Sequence, residues 1–400
     1  LDPKNWIYYS NMGDGYNALG EVEKAIEAYE MGLKLNANDD WINNNLGILY
    51  AKRGDNNKAL AYFLQALKLK PQTTYCANIG DIYRIINDSQ QAIDYFHEAI
   101  MMDPSNNSAH NKLGVEYYYE GENDKAIHHY NKAIQLAPDN YIYHANLGDA
   151  LLKKNDLPKA AECYKKVLSL QPTDRLSIRN LGDIHKRLKD WDESIKYYNQ
   201  FLELNRTDKQ YDEDNILNEL GLIYSSQKNY PKAEENFSQA VKLKPDNFAY
   251  HANLGDIYRL GNKFEEAIKS YDAALKLNPD DEISHNALGV SYALQKKYDK
   301  AIPCYEKAIS LKPDRALFYI NLADSLSFKG DWEKAIFNYL KALELDPKDD
   351  TLYNSLAGCY RELGKFYKAI DYYRKALDLN QKPNYHVEIG YIYSKLQNYD

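Results

Sequence analysis

The sequence predicts an all-α protein, an α-solenoid of about eleven and a half helix–turn–helix repeats of 34 residues. The heptapeptide YHANLGD occurs twice, at residues 143–149 and 250–256. The two copies are 107 residues apart, which is three repeats plus a five-residue insertion. A small residue after Leu, Ile or Met recurs along the chain, mostly every 34 residues. It is Gly13, Gly47, Gly80, Gly114, Gly148, Gly182, Gly221, Gly255, Gly289, Ala323, Ala357 and Gly390.

The first helix of each repeat carries this small residue, which we number as repeat position 8. Position 7 is always Leu, Ile or Met, and position 11 is mostly Tyr. Positions 7, 8 and 11 share one helix face, so they predict the side that packs on the rest of the repeat. A turn follows near position 15, where Gly or Asn suits a left-handed helix stop. Examples are Gly54, Gly121, Asn155, Gly330 and Gly364.

The second helix is predicted from positions 20, 24 and 27, which also share one face. Position 20 is Ala in ten of eleven repeats, with Ser194 the exception, and position 24 is always Tyr or Phe. We expect small residues to let the helices approach and the aromatic ring to fill the space between them. Proline at position 32 stops the helix in eight repeats, and Pro303, inside one second helix, predicts a kink or a lost backbone bond there.

This pattern closely resembles the tetratricopeptide repeat family over essentially the whole chain. The resemblance implies antiparallel helix pairs stacked into a right-handed superhelix. It also implies that the first helices line a concave groove and that the second helices form the outside. One such pair cannot bury its apolar faces alone, so neighbouring repeats must stack.

We interpret residues 1–400 as a single array that is cut inside a repeat at both ends, and we expect a slice of a longer protein. The spacing stretches between the sixth and seventh repeats, where an insertion at residues 207–213 is polar and mostly acidic. It defines possible sub-blocks, residues 1–208 and 214–400. If the insertion is a hinge, limited proteolysis should cut quickly at Lys209; a tolerated surface insertion should resist like the other loops.

Composition narrows the function classes. The formal charge is −8 and evenly spread, which argues against a nucleic-acid surface, and no apolar run is long enough for membrane insertion. Four widely spaced cysteines suggest neither a disulfide framework nor a metal site. We find no catalytic motif, so we expect no enzyme, no cofactor and no metal. We expect a cytoplasmic protein.

Two rows of polar residues on the first helices are candidates for peptide binding in the groove. An Asn amide both donates and accepts, so a row of Asn can hold an extended backbone; the row resembles the asparagine ladder in the arm of O-GlcNAc transferases. The alternative is that Asn here is structural. At position 6 the row is Asn11, Asn45, Asn78, Asn146, Asn180, Asn253 and Asn321, and in four other repeats the Asn stands one place earlier, at position 5, as Asn111, Asn218, Asn286 and Asn354.

The second row is aspartate at position 9, a position that faces the groove in the family. Asp nearly alternates there with apolar residues or glycine, which predicts a ligand with spaced basic and apolar side chains. The alternative is that the aspartates pair within their own helix, as Asp81 with Arg84 and Asp256 with Arg259. The row is Asp14, Asp81, Asp149, Asp183, Asp256 and Asp324.

Histidine recurs at position 4, and we favour a packing role between helices over a metal or pH-sensing ladder. These residues are His110, His144, His251, His285 and His386.

The function predicted from these features is a non-catalytic scaffold that binds extended protein or peptide segments in the groove. Two alternatives stay open. The chain is the substrate-binding arm of a glycosyltransferase whose catalytic domain lies outside it, or it is an architectural superhelix that self-associates.

Overall fold

The computed structural model describes residues 5–205 and 212–397, and over those ranges every regular element is an α-helix. The chain divides into two compact units, residues 1–204 and 205–400. Each unit is a stack of helical hairpins, which confirms the predicted α-solenoid.

The first unit contains twelve helices, in which odd numbers are first helices and even numbers are second helices. They are α1 Trp6–Ala18, α2 Val22–Leu35, α3 Asp40–Lys52, α4 Asn56–Leu69, α5 Thr73–Ile85, α6 Ser89–Met102, α7 Asn107–Tyr119, α8 Asn123–Leu136, α9 Tyr141–Lys153, α10 Leu157–Leu170, α11 Arg175–Arg187 and α12 Trp191–Asn205.

The second unit continues the same alternation with eleven helices. They are α13 Glu213–Ser226, α14 Tyr230–Leu243, α15 Phe248–Leu260, α16 Phe264–Leu277, α17 Glu282–Leu294, α18 Tyr298–Leu311, α19 Ala316–Lys329, α20 Trp332–Leu345, α21 Asp350–Glu362, α22 Phe366–Leu379 and α23 Pro383–Gln397. Within each unit, a second helix packs on the first helix of its own repeat and on the first helix of the next.

In nine repeats the core is the contact between the position-8 glycine and the position-24 ring, and Ala323 and Ala357 replace the glycine in two others. A Cβ built on Gly148 would lie 2.9 Å from Cε1 of Tyr164 in the same repeat, so only glycine lets the ring sit this close. The rings at position 24 and the small residues at position 20 are buried throughout both units. Ser194, the one exception to alanine at position 20, donates its hydroxyl hydrogen bond to the Gly182 carbonyl at 2.8 Å.

The turns between paired helices adopt the predicted left-handed conformation at position 15. Gly54 has φ +79° and Asn155 has φ 64°. Lys189, Lys228 and Lys296 occupy the same position with φ of 59°, 59° and 60°, which residue type alone does not predict. Hairpin packing therefore imposes a left-handed backbone conformation at position 15 even on residues with a Cβ, for which that conformation is unfavourable.

Helix α18 continues from Tyr298 to Leu311 through Pro303. Because proline has no N–H, Pro303 cannot donate the usual helical hydrogen bond to the carbonyl of Asp299, four residues earlier. The predicted lost bond thus follows from the residue itself, and the helix is not interrupted by it. A kink at this point stays a prediction.

The junction between the sixth and seventh repeats falls largely outside the described residues. Helix α12 ends at Asn205 and α13 begins at Glu213. Residues 206–211, which include the predicted cleavage site at Lys209, lie between the two described ranges, so the hinge stays a prediction.

No helix within the described ranges combines the length and apolar character needed to cross a bilayer.

Candidate interaction face on the first helices

The predicted binding residues lie on the first helices, at positions 5, 6 and 9, and we call this surface of each unit the first-helix face. Most of their side chains are half-buried; Asn45 and Asn218 are buried and Asn11 is exposed. The face is therefore neither a dry core nor a freely solvated surface. Polar groups in such a place bond to each other, to water or to a ligand.

Four of the position-6 asparagines bind the position-5 asparagine of the preceding repeat. Asn146 Nδ2 in α9 donates to Asn111 Oδ1 in α7 at 2.8 Å, so a position-6 amide meets the position-5 amide of the preceding repeat. Each pair uses one of the donor's N–H groups and leaves its second N–H and its own oxygen out of the pair. The other pairs are Asn78 to Asn44 at 2.9 Å, Asn253 to Asn218 at 2.8 Å and Asn321 to Asn286 at 2.8 Å.

Tyrosines at position 3 make further bonds between neighbouring repeats, three of them between repeats that an asparagine pair also joins. Tyr143 donates its hydroxyl to Asn107 Oδ1, at position 1 of the preceding repeat, at 2.7 Å. Polar bonds between first helices therefore join neighbouring repeats, a feature that residue counting at single positions missed. Equivalent bonds join Tyr75 to Asp40 at 2.7 Å, Tyr250 to Asp214 at 2.8 Å and Tyr385 to Asp350 at 2.5 Å.

The aspartate row binds tyrosine hydroxyls from within the same repeat. Tyr164 at position 24 donates to Asp149 Oδ1 at 2.5 Å. Asp81 differs because its repeat has Phe96, which has no hydroxyl, at position 24. The other bonds of this kind are Tyr29 to Asp14 at 2.5 Å, Tyr198 to Asp183 at 2.5 Å, Tyr271 to Asp256 at 2.7 Å and Tyr339 to Asp324 at 2.5 Å.

The predicted intrahelical ion pairs are present for two aspartates. The Asp81 carboxylate lies 3.0 Å from Arg84 and also binds Lys112, and Asp256 lies 3.2 Å from Arg259. Their basic partners stand at position 12 of the same helix, or on the next first helix in the case of Lys112. Basic side chains of the protein therefore already balance the charges of these two carboxylates.

Asp149 and Asp324 form a separate class. Position 12 of their helices is Leu152 and Ser327, and within the described ranges no Lys or Arg nitrogen lies within 4.0 Å of either carboxylate. Burial raises the pKa of both carboxyl groups, and the hydroxyl of Tyr164 or Tyr339 partly offsets that rise. Neither carboxyl group therefore has a basic partner within the described ranges.

Four of the five histidines at position 4 have a bonding role between repeats. His144 Nε2 lies 2.8 Å from the carbonyl oxygen of Pro138, the proline that ends the preceding second helix. This contact supports the packing interpretation, and its signal in the sequence is the constant six-residue spacing from proline to histidine. No group of acidic, histidine or cysteine side chains within the described ranges could hold a metal ion. The same contact joins His110 to Pro104 at 3.3 Å, His251 to Pro245 at 2.9 Å and His285 to Pro279 at 2.9 Å.

Comparison with known proteins identifies the repeat. Models of the tetratricopeptide repeat match most of the chain between residues 13 and 383. The matched ranges are 13–54, 42–73, 73–106, 111–175, 174–246, 255–296, 283–315, 329–357 and 351–383.

Individual relatives are similar over short stretches or in fold. A TPR repeat-containing protein of Methanocaldococcus jannaschii is 37% identical over 62 residues, 16% of this chain and 11% of that protein. The photosystem I assembly protein Ycf3 of Rippkaea orientalis is 37% identical over 76 residues, 18% of this chain and 43% of that protein. The chain thus spans less than half the length of either relative.

A solved structure shares the fold. The C-terminal part of a TPR repeat-containing protein from Cytophaga hutchinsonii superposes with a TM-score of 0.55 at 18% identity, covering 62% of this chain and 99% of that one. The helical hairpins, the Gly–aromatic contact and the matched repeats lead to one conclusion: this chain belongs to the tetratricopeptide repeat family.

Proposed function

We propose that the chain is a protein-interaction scaffold that binds extended peptide segments along the first-helix face. The observation that supports this is the row of paired asparagines with amide groups left over. Within the described ranges, Nδ2 of Asn111 has no protein acceptor, and Asn146 uses its amide nitrogen on Asn111 alone. Such amides offer donors and acceptors that an extended backbone can satisfy without regard to its side chains.

The spacing of the asparagines fits an extended ligand. Neighbouring helices pack roughly 10 Å apart, and an extended chain advances about 3.3 Å per residue. One repeat thus corresponds to roughly three ligand residues, and one bonded pair of repeats to roughly six. A ligand bound in this way presents equivalent backbone groups to successive asparagine pairs.

A display selection on the whole 400-residue chain would supply peptide ligands for the test. We expect the triple substitution of Asn146, Asn180 and Asn253 by Ala to weaken a selected peptide by tenfold or more. Each lost hydrogen bond costs about 0.5–1.5 kcal/mol, and about 1.4 kcal/mol is a factor of ten in Kd. Calorimetry would measure the Kd, and circular dichroism would check that helicity is intact.

The matched control breaks a different bond between the same repeats. Replacing Tyr143 and Tyr250 by Phe removes their hydroxyl bonds to Asn107 and Asp214 but keeps every asparagine of the two rows. A smaller effect here than in the triple variant supports direct contact with the ligand. Unchanged affinity in the triple variant, with helicity intact, would refute the asparagine ladder.

A further inference from the structure

Two pockets of the second unit meet at Asp324 and Phe328 in helix α19. One, of about 200 Å³, lies between α17 and α19 and is also lined by Leu294 and Tyr298. The other, of about 410 Å³, lies between α19 and α21 and is also lined by Trp332. Both open on the side of α19 that carries the position-9 aspartate.

The carboxylate shared by the two pockets has an incomplete set of partners. Oδ1 of Asp324 accepts the Tyr339 hydroxyl at 2.5 Å, and no cation from the described ranges lies within 4.0 Å of the group. The nearby guanidinium of Arg361, which lines the larger pocket, is held by the carboxylates of Glu362 and Glu388. The Asp324 carboxyl group is therefore half-buried and has no basic partner within the described ranges.

The pocket walls beside the Asp324 carboxyl group include exposed aromatic and aliphatic side chains. Phe328 is 71% exposed although it is a large apolar ring, and its other face stacks on Tyr298 with ring centroids 5.4 Å apart. Leu294 beside it is 53% exposed. Gly358, across the larger pocket, has no heavy atom within 4 Å of where a Cβ would stand, so space is left open on that side.

A carboxylate next to an exposed aromatic face is the chemistry that recognises a cation on a hydrocarbon stem. The ring attracts the cation through its quadrupole, the carboxylate forms a charge-assisted hydrogen bond, and the apolar walls cover the methylene groups. An acidic side chain would be repelled, and an apolar one would leave the carboxylate without a partner.

We propose that Asp324 and Phe328 form a subsite for one basic side chain, lysine or arginine, of a peptide segment bound on the first-helix face. The subsite rests on the proposed function and names the chemistry of the ligand at one place. Asp256, whose charge Arg259 already neutralises, is not such a subsite.

The test uses the whole chain and fluorescein-labelled peptides of alternating serine and leucine that differ in one central residue: lysine, arginine, norleucine or glutamate. Fluorescence anisotropy would give the Kd. We expect lysine and arginine to bind at least fivefold more tightly than norleucine. Asp324→Asn and Phe328→Ala should each remove most of that preference.

The second unit offers matched controls two repeats earlier, on helix α15. Asp256→Asn and Leu260→Ala change the same repeat positions, 9 and 13, where the carboxylate is already paired with Arg259. Both variants should keep the preference for lysine over norleucine. Circular dichroism would confirm that all four variants are folded.

The possible failures can be told apart. Equal binding of the lysine and norleucine peptides, or a preference that survives Asp324→Asn, overturns the subsite and leaves the scaffold proposal standing. The same holds if display-selected peptides bind but the lysine peptide does not. If the display selection itself yields no binding peptide, the scaffold proposal fails and the subsite fails with it.

Discussion

Gly148→Leu is expected to destabilise the array by about 1–3 kcal/mol, the cost of overpacking a well-packed core. The reason is the close approach of the position-24 ring, since a Cβ at residue 148 would lie 2.9 Å from Tyr164. The ring is buried and its hydroxyl is held by Asp149, so it cannot swing aside without losing that bond. Either the ring or the helix must move.

Gly358→Leu is the matched control for this substitution. Gly358 is also inside a first helix, but no heavy atom lies within 4 Å of its Cβ direction. Leucine favours the helix over glycine by somewhat less than about 1 kcal/mol, so we expect Gly358→Leu to be neutral or stabilising. Thermal and urea unfolding of both variants would measure the difference. Equal stability of the two would show that the Gly–aromatic contact does not organise the repeat.

The second large effect is expected in acid, at a cluster of histidines in the first unit. His110 on α7 and His129 on α8 face each other through their Nδ1 atoms at 3.1 Å. The Nε2 of His110 lies 3.3 Å from the Pro104 carbonyl, which accepts only if that nitrogen carries the hydrogen. Nδ1 of His110 is then the acceptor, and His129 must donate. Adding a proton to His110 would place two donors against each other.

The rest of the surroundings also favours neutral rings. Burial lowers the pKa of His129 to about 4, and the charges of His110, His128 and His97 add to the effect. Burial is also the largest cause that lowers the pKa of His110, with a smaller contribution from Lys132.

Tyr117, the other titratable group in this cluster, binds His97 at 3.0 Å and stacks on His129. The ammonium group of Lys125 lies over the Tyr117 ring, 5.2 Å from its centroid. None of these neighbours supplies a negative charge that would stabilise a protonated ring.

The sign of the pH effect follows from these shifts. A histidine whose folded pKa lies below its unfolded value of about 6.5 contributes stability that is fully present above that pH. The contribution is lost as pH falls towards about 4, the folded pKa of His129. Because the ring is partly exposed, we expect a loss of about 1–2 kcal/mol rather than the full linkage value.

Urea unfolding at neutral pH and near pH 5 would measure this loss of stability. Carboxyl groups elsewhere in the protein also contribute to the pH dependence of unfolding. His129→Gln should flatten the dependence relative to the unchanged protein. His285 lies outside this cluster, with its Nε2 facing the Pro279 carbonyl. The control variant His285→Gln should therefore leave the pH dependence as it is. An identical pH dependence for all three proteins would contradict the assignment.

Most of the fold could be predicted from the sequence, because its signals are local and repeated. The 34-residue period, the position-8 glycine and the position-24 ring together predict the hairpins, and the structure confirms them. The left-handed lysines, such as Lys228, were not predictable from residue type. Hairpin packing decides that conformation, and residue preference only makes it easier where Gly or Asn is present.

The candidate site was less predictable, because its bonds cross between repeats. The sequence shows asparagines at positions 5 and 6 as two offset rows, but only the structure shows that Asn111 meets Asn146. In the same way, alternation at position 9 was visible, whereas the Tyr164–Asp149 bond that goes with it was not. Asp256 has a basic partner and Asp324 does not, because position 12, one helical turn away, is Arg259 in one helix and Ser327 in the other. The sequence shows both residues but not that this difference decides which carboxyl group is paired.

Photo-crosslinking of a display-selected peptide to the whole chain is the most direct test of the scaffold account. A photoreactive residue would be placed at successive positions of the peptide, and the crosslinked residues would be mapped by mass spectrometry. We expect crosslinks on first helices, near the asparagine pairs such as Asn111 and Asn146, that advance by roughly one repeat for every three peptide residues. Crosslinks confined to the second helices or the turns would contradict it.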